Sequence, residues 1–455
     1  MMALVEPKAK TFAPRPFLAA SKSFSAGTDT PRGYLERCLA ALAEHEPAVG
    51  AFVTTDVEGA RKTADQATER WRAGKPRSAI DGMPVGIKDI IETYDMPTQM
   101  GSPLFDGWRG ERDAAAVYAL RAAGAVILGK TVTTEFAATH PRGTRNPHDP
   151  RRTPGGSSSG SAAAVATGMV PAALGTQVVG SILRPSSFCG CVGFKPTVGA
   201  INRGGSHDYL SQSCTGPIAA TVEDAWAVAR EIARRVGGDP GFPRLAGPMA
   251  PPAARKPRAV AVLETPGWPV ATAGARQELD RAVARLRAAS VAILTRRDNP
   301  LIEQVETALT QAMPVTRAIN EWEWVWPLND YHRRDAGALS ESMRERLKTA
   351  EAMDEGQYEE LIAERARIRA QFAALAGIAD AAVTLSAPGA APVGLNWTGD
   401  PIFVVSGSLL GVPTVSLPLL EDEGLPLGLQ VLGFERRDAD LIAAAAAIRD
   451  IVGRK

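Results

Sequence analysis

Residues 153–168 read TPGGSSSGSAAAVATG, a run in which no side chain is larger than valine. The first half is a Gly/Ser loop and the second a small-residue helix, one thin enough to lie directly against neighbouring backbone. Such a segment is held only if rigid elements close on it from several sides, and those elements are legible around it. MPVGIKDII (Met83 to Ile91) reads as a buried strand carrying one lysine, Lys88, among β-branched residues. AVYALRAAGAVILGKT reads as a helix, a turn at Gly124 and another strand.

The same alternation extends through the chain. Thr30 and Pro31 offer an N-cap and a first-turn residue to a helix whose apolar positions Leu35, Cys38, Leu39 and Leu42 recur at helical spacing. A Pro- and Ala-rich stretch at 246–257 reads as a surface connection, 300–375 as a helical region, and DAAVTLSAP and GVPTVSLPL as returning strands. Alternating helices and strands predict an α/β chain with a sheet covered by helices on both faces, an α/β/α architecture. No internal repeat is found.

The bulk numbers exclude several function classes. With 51 Lys+Arg against 50 Asp+Glu, the net charge of +1 supplies no field for nucleic acid or an anionic membrane. No apolar stretch reaches the roughly 20 residues that span a bilayer. MMALVEPKAKTFAPRPF lacks the apolar core of a secretory leader, so a soluble, cytoplasmic protein is expected. Cys38, Cys189, Cys191 and Cys214 form no CxxC pair, and the five histidines have no zinc-ligand spacing. Buried, reduced cysteines, no metal and no cofactor are expected, with small molecules as partners.

Two motifs match familiar patterns and fail on context. GAVILGKT (Gly124 to Thr131) fits GxxxxGK[ST], but a phosphate cradle needs a flexible loop where this chain places the apolar strand AVIL. GSSSG (Gly156 to Gly160) fits the GxSxG elbow, which requires an apolar strand before the serine; here TPGG precedes it. Beyond residue 160 only His207 and His332 could serve as a base, neither in a recognisable catalytic context. A serine nucleophile then needs another proton acceptor, and a lysine desolvated among apolar groups is one. Lys88 fits that description; taken by itself, it equally reads as a strand lysine that snorkels or pairs with Asp89 or Glu92.

GIKD at 86–89, PGGSSSGSAAAVATG at 154–168 and GTQVVGSILRPSSFCGCVGFKPT at 175–197 closely resemble the amidase signature family. The likeness extends to GAVILGKT with Glu135 and Phe136, to TGPIAATVEDA and to GDPIFVVSGSLLGVPTVSLPL, and is weakest between about 240 and 380. It implies one amidase domain over 1–455, built on a large mixed sheet, with about 240–380 as a variable, mainly helical cover for the substrate. It also implies a catalytic triad of Lys88, Ser157 and Ser181, the two serines 24 residues apart. In that scheme Ser157 relays a proton from Ser181 to Lys88, and the backbone N–H groups of Val178, Val179, Gly180 and Ser181 form the oxyanion hole. Thr176, Gln177 and Arg184 are expected to meet the substrate.

The chain departs from the family where two glycines usually precede the nucleophile, because it has Val179-Gly180. A positive φ at Val179 would cost roughly 1 to 2 kcal/mol; a negative φ would leave Val179 to narrow the pocket, which is the expectation here. Arg184 lies three residues after the nucleophile, as in malonamidase-type members, where the displaced arginine binds a substrate carboxylate; the alternative is an arginine that fixes the turn. The resemblance implies a C–N hydrolase acting on a small carboxamide, a carbamate (urethane) or a urea, as a monomer or homodimer. The reading from another class is an amidase-like component of an amidotransferase complex. Trp322, Trp324, Trp326 and Tyr331 either roof an apolar acyl pocket or pack in the core.

Overall fold

A computed structural model describes residues 12–453. Residues 1–11, on which most of the leader expectation rests, lie outside the described residues. Eleven strands form one sheet: β1 (Phe52–Thr55), β2 (Pro84–Lys88), β3 (Val126–Thr131), β4 (Ala172–Gln177), β5 (Val192–Lys195), β6 (Cys214–Ala219), β7 (Ala259–Val262), β8 (Ala292–Leu294), β9 (Ala381–Leu385), β10 (Thr414–Asp422) and β11 (Leu425–Leu432). Their order is β1-β3-β2-β4-β6-β5-β10-β11-β9-β7-β8. β2 runs parallel to β3 and β4, and β7 parallel to β8 and β9; the other neighbours are antiparallel. The sheet is mixed and large.

Side chains alternate between faces along a strand, so a sheet covered on both faces must send successive residues into different cores. It does. Ala172 and Leu174 of β4 join one apolar cluster and Ala173 the other; in β3, Ile127 separates from Val126 and Leu128 in the same way. The helix Val222–Val236 packs into the first cluster and the helix Ser159–Ala166 into the second. This is the α/β/α arrangement that the alternating pattern implied. The Thr30 cap is also formed, its side chain accepting the N–H of Gly33 at the start of the helix Pro31–Val49.

GAVILGKT forms the end of a helix and then β3, with Gly124 in the left-handed conformation at the turn (φ +91°). Its apolar residues lie in the ladder, so no phosphate loop exists there. Within 240–380, β7 and β8 extend the sheet at one edge, and the remainder is dominated by the helices Pro300–Leu309, Ala312–Asp335, Glu341–Glu351 and Glu355–Ala373. Among the described residues, no helix is long and apolar enough to cross a membrane. The four cysteines are free and buried.

The small-residue helix packs as closely as its composition allows. Gly160 donates its N–H to the Val132 carbonyl at 3.0 Å, and a Cβ at Gly160 would stand 2.1 Å from Ala51 O and 2.4 Å from Val132 N. Both obstacles are backbone. Gly160→Ala is favoured by helix propensity by about 1 kcal/mol, yet overpacking against immovable atoms outweighs this, costing about 1 to 3 kcal/mol or more. A lower midpoint in urea denaturation, at unchanged m-value, is the expected result; equal or higher stability would show that the helix can retreat from β3.

Candidate active site

β2 lies between β3 and β4, so a side chain at its end emerges inside the molecule. Lys88 is that residue, with no exposed surface. Its Nζ lies 2.8 Å from Ser157 Oγ and 2.8 Å from Thr176 Oγ1, with the Thr176 carbonyl at 3.5 Å. Neither Asp89 nor Glu92 pairs with it: Asp89 takes Lys130 at 2.9 Å, and Glu92 takes Arg112 and His207. Burial without a carboxylate in contact pulls the Lys88 ammonium down to about 7, against which the Asp208 charge pulls back.

Ser157 follows a cis Gly156–Ser157 peptide and is held from three sides. Thr134 N–H donates to the Ser157 carbonyl at 3.3 Å, Ser158 N–H to the Ser181 carbonyl at 3.3 Å, and Arg184 Nη2 to the Gly156 carbonyl at 2.8 Å. Ser158 and Ser159 give their hydroxyl protons to the carbonyls of Thr176 and Val132, and neither bonds to Lys88. Ser181 sits in the turn between β4 and the short helix Leu183–Cys189 and lines a cavity of about 350 Å³. The Lys88–Ser157 contact is formed; a Ser157–Ser181 hydroxyl contact is not, a distance that commonly tightens only with substrate bound.

The turn bearing Ser181 is braced from behind. Gln177 Oε1 accepts the N–H groups of Ile182 at 2.8 Å and Leu183 at 3.0 Å, while its Nε2 donates to Ser408 Oγ, which donates to the Val179 carbonyl at 2.8 Å. Val179 has no positive φ, so its side chain carries no backbone strain and instead lines the cavity with Val178. Among the described residues, no acceptor meets the N–H groups of Val179, Gly180 and Ser181. Three neighbouring donors without partners beside a serine can take a developing oxyanion. Gly180 must stay small, since a Cβ there would stand 2.4 Å from Val404 Cγ2.

Thr176 and Gln177 therefore differ from expectation. Both are fully buried, neither lines the cavity, and their side chains are engaged by Lys88 and by the turn. As the last two residues of β4 they point to opposite faces, into protein on both sides. Arg184 does line the cavity; its Nη2 also donates to Thr398 Oγ1 at 2.7 Å, while Nε has no partner. Burial lowers its pKa to about 10, with Asp400 opposing.

Of the aromatic residues at 322–331, Trp324 alone lines the cavity. Trp326 is 62% exposed, Trp322 stacks on Tyr358, and Tyr331 stacks on Phe136, which itself lines the cavity. Trp322 and Trp324, two apart on a helix, are turned by about 200° and cannot share a wall, and at Trp326 the helix breaks (φ −104°, ψ 125°) ahead of Pro327. Sequence reasoning missed the loop at 397–401, Asp208 and Ser408. The loop's GD lay within a stretch already matched to the family, but nothing local ties it to Ser181.

Residues 34–442 match the family profile described as Amidase. A glutamyl-tRNA(Gln) amidotransferase polypeptide from Chloroflexus aggregans is 32% identical over 95% of this chain and 95% of its own. A solved structure described as an amidase superposes with a TM-score of 0.81 at 28% identity, over 96% of this chain and 99% of that one. The native peptide amidase of Stenotrophomonas maltophilia superposes with a TM-score of 0.80 at 25% identity, over 97% of each.

Lys88 itself makes a measurement possible without substrate. Its amine is depressed from 10.5 to about 7 on folding, so between those values the unfolded chain binds more protons and stability rises with pH. Below about 7 both states are protonated and the dependence vanishes. The stability of the wild type relative to Lys88→Met should therefore climb by a few kcal/mol from pH 7 to 10. A difference independent of pH would mean that Lys88 keeps its proton.

Proposed function

Because this chain belongs to the amidase family, we propose that it is a serine hydrolase cleaving the C–N bond of a small carboxamide, with Ser181 as nucleophile, Ser157 as relay and Lys88 as base. The observation that carries the reading is Lys88: buried, in contact with no carboxylate, depressed to about 7 and 2.8 Å from a serine hydroxyl. A lysine so placed has a substantial neutral fraction near pH 7 and can accept a proton.

In this mechanism Ser181 Oγ attacks the carbonyl carbon, giving its proton to Ser157 as Ser157 gives its own to Lys88. The N–H groups of Val179, Gly180 and Ser181 stabilise the oxyanion. Collapse of the intermediate breaks the C–N bond, and the proton returns along the relay to the departing nitrogen. Water then releases the acyl group by the same path, regenerating Ser181. Thr176 Oγ1, on the second side of Nζ, orients the lone pair toward Ser157.

The same nucleophile accepts carbamates and ureas, which also present a carbonyl beside nitrogen; turnover of matched amide, urethane and urea substrates distinguishes them. The amidotransferase relatives support a second reading, a component of a transamidating assembly. Hydrolysis by the purified chain at a rate unaffected by added partner proteins favours the stand-alone enzyme; glutamine turnover only within an assembly favours the other.

Ser181→Ala is expected to abolish turnover and acyl-enzyme formation by mass spectrometry, and Ser157→Ala and Lys88→Ala to lower kcat about 10²- to 10⁴-fold. Wild-type rates in any one of them would sink the assignment. The pH dependence of kcat/KM reports the free enzyme, so it should rise through a midpoint near 7 and level off above it as Lys88 loses its proton. A profile flat from pH 5.5 to 8.5, with chemistry limiting, would remove Lys88 as the base.

A further inference from the structure

The cavity lined by Ser181 also carries positive charge that the proposed mechanism does not use. Met313, Arg317, Asn320 and Trp324 follow one another at helical spacing along the helix Ala312–Asp335, and all four line the cavity. Arg346, from the helix Glu341–Glu351, lines it as well. Along this face, apolar residues at both ends flank the exposed Arg317 and the buried Asn320.

None of these polar groups is satisfied by the protein. Neither Arg317 nor Arg346 forms an ion pair or hydrogen bond with any described residue, although Glu321 is near enough to act on Arg346 through its charge. Asn320 is 3% exposed, and its Oδ1 is buried without a partner. Arg346 and Arg317 repel each other, and burial disfavours the charge on Arg346 further. The carboxylates that line the cavity pair with neither arginine: Asp208 accepts the Ser213 hydroxyl, and Asp400 the N–H of Ile402. Two guanidinium groups without a protein partner thus line one pocket, Arg317 exposed and Arg346 half-buried, and an anion there would pair with both.

We propose that Arg317 and Arg346 form an anion-binding subsite for a carboxylate at the end of the substrate remote from the scissile bond. The proposal rests on the hydrolase reading and specifies it: the preferred substrate is an ω-carboxy amide, with an apolar spacer passing Trp324 and Met313. Guanidinium groups suit a carboxylate because they offer planar, paired donors. A volume of about 350 Å³ admits a short-chain compound and no polymer within the cavity. The subsite is separate from Arg184, whose Nη2 is committed to Gly156 and Thr398.

The test uses mono-p-nitroanilides of the linear dicarboxylic acids, each compared with its methyl ester. The wild type should favour the free acid over its ester roughly tenfold or more in kcat/KM at one optimal chain length. In the Arg317→Met/Arg346→Met double variant this ratio should fall toward one, any change common to both substrates cancelling, and Arg317→Lys/Arg346→Lys should restore part of it. A wild type indifferent to the free acid at every length, or a preference that survives the double variant because Arg184 reads the acid, overturns the subsite. Calorimetry with the free dicarboxylates on Ser181→Ala provides the arm independent of turnover. Binding that is lost in Ser181→Ala/Arg317→Met/Arg346→Met, when the wild type hydrolyses none of the acids or esters, sinks the hydrolase reading and keeps the subsite; no binding alongside brisk wild-type turnover of the esters does the reverse.

Discussion

The proposed chemistry depends on a parity rule in two neighbouring strands. Ile87 of β2 is in register with Lys130 of β3, and Lys88 with Thr131. Residues in register share a face and successive residues alternate, so Asp89 falls on the side of Ile87 and Lys130, while Lys88 falls on the side of Thr131. Asp89 and Lys130 neutralise each other at 2.9 Å, Lys130 being further held by Thr98 Oγ1 at 2.6 Å. Lys88 is left facing hydroxyls. Both lysines are fully buried, and the difference in their partners separates a paired cation from a candidate base.

That geometry is preserved by bonds the side chains of the mechanism do not make. The Ser157 loop is tied to Thr134, to the Ser181 turn and to Arg184, and the turn is tied through Gln177 and Ser408 to the C-terminal third of the chain. Positioning of this kind matters because a serine displaced by an ångström loses the alignment that makes the relay fast. The short helix Ser159–Ala166 serves the same end: with Gly160 against the backbone of Ala51 and Val132, the loop before it has nowhere to slide.

Much of this is legible in the sequence alone. The alternating pattern yields the two-faced sheet, Thr30 its cap, and the run at 153–168 its close-packed loop and helix, because each is written in local composition. What is not legible follows from distance or from period. Asp208 reaches the site from a part of the chain with no motif of its own, and Ser408 and the loop at 397–401, although in or beside the family-matched stretch at 399–419, have nothing local that ties them to Ser181. The tryptophans at 322, 324 and 326 group by proximity in sequence, whereas a period of 3.6 groups Trp324 with Asn320, Arg317 and Met313. Thr176 and Gln177 adjoin the nucleophile's turn, which suggests contact with substrate, but they end a strand buried on both faces.

Arg184 shows how floor and roof of the cavity are coupled. Its Nη2 joins the carbonyl of Gly156, just before Ser157, to the hydroxyl of Thr398, in the loop that closes the cavity. An arginine buried to 5% exposure with no carboxylate in contact and an unpaired Nε contributes little to stability, since desolvation of the charge is only partly offset by two hydrogen bonds. What it supplies is a fixed distance between the proposed relay and a loop that lines the cavity. Under the proposed mechanism, a shift of the 397–401 loop would reach Gly156 through one rigid planar group.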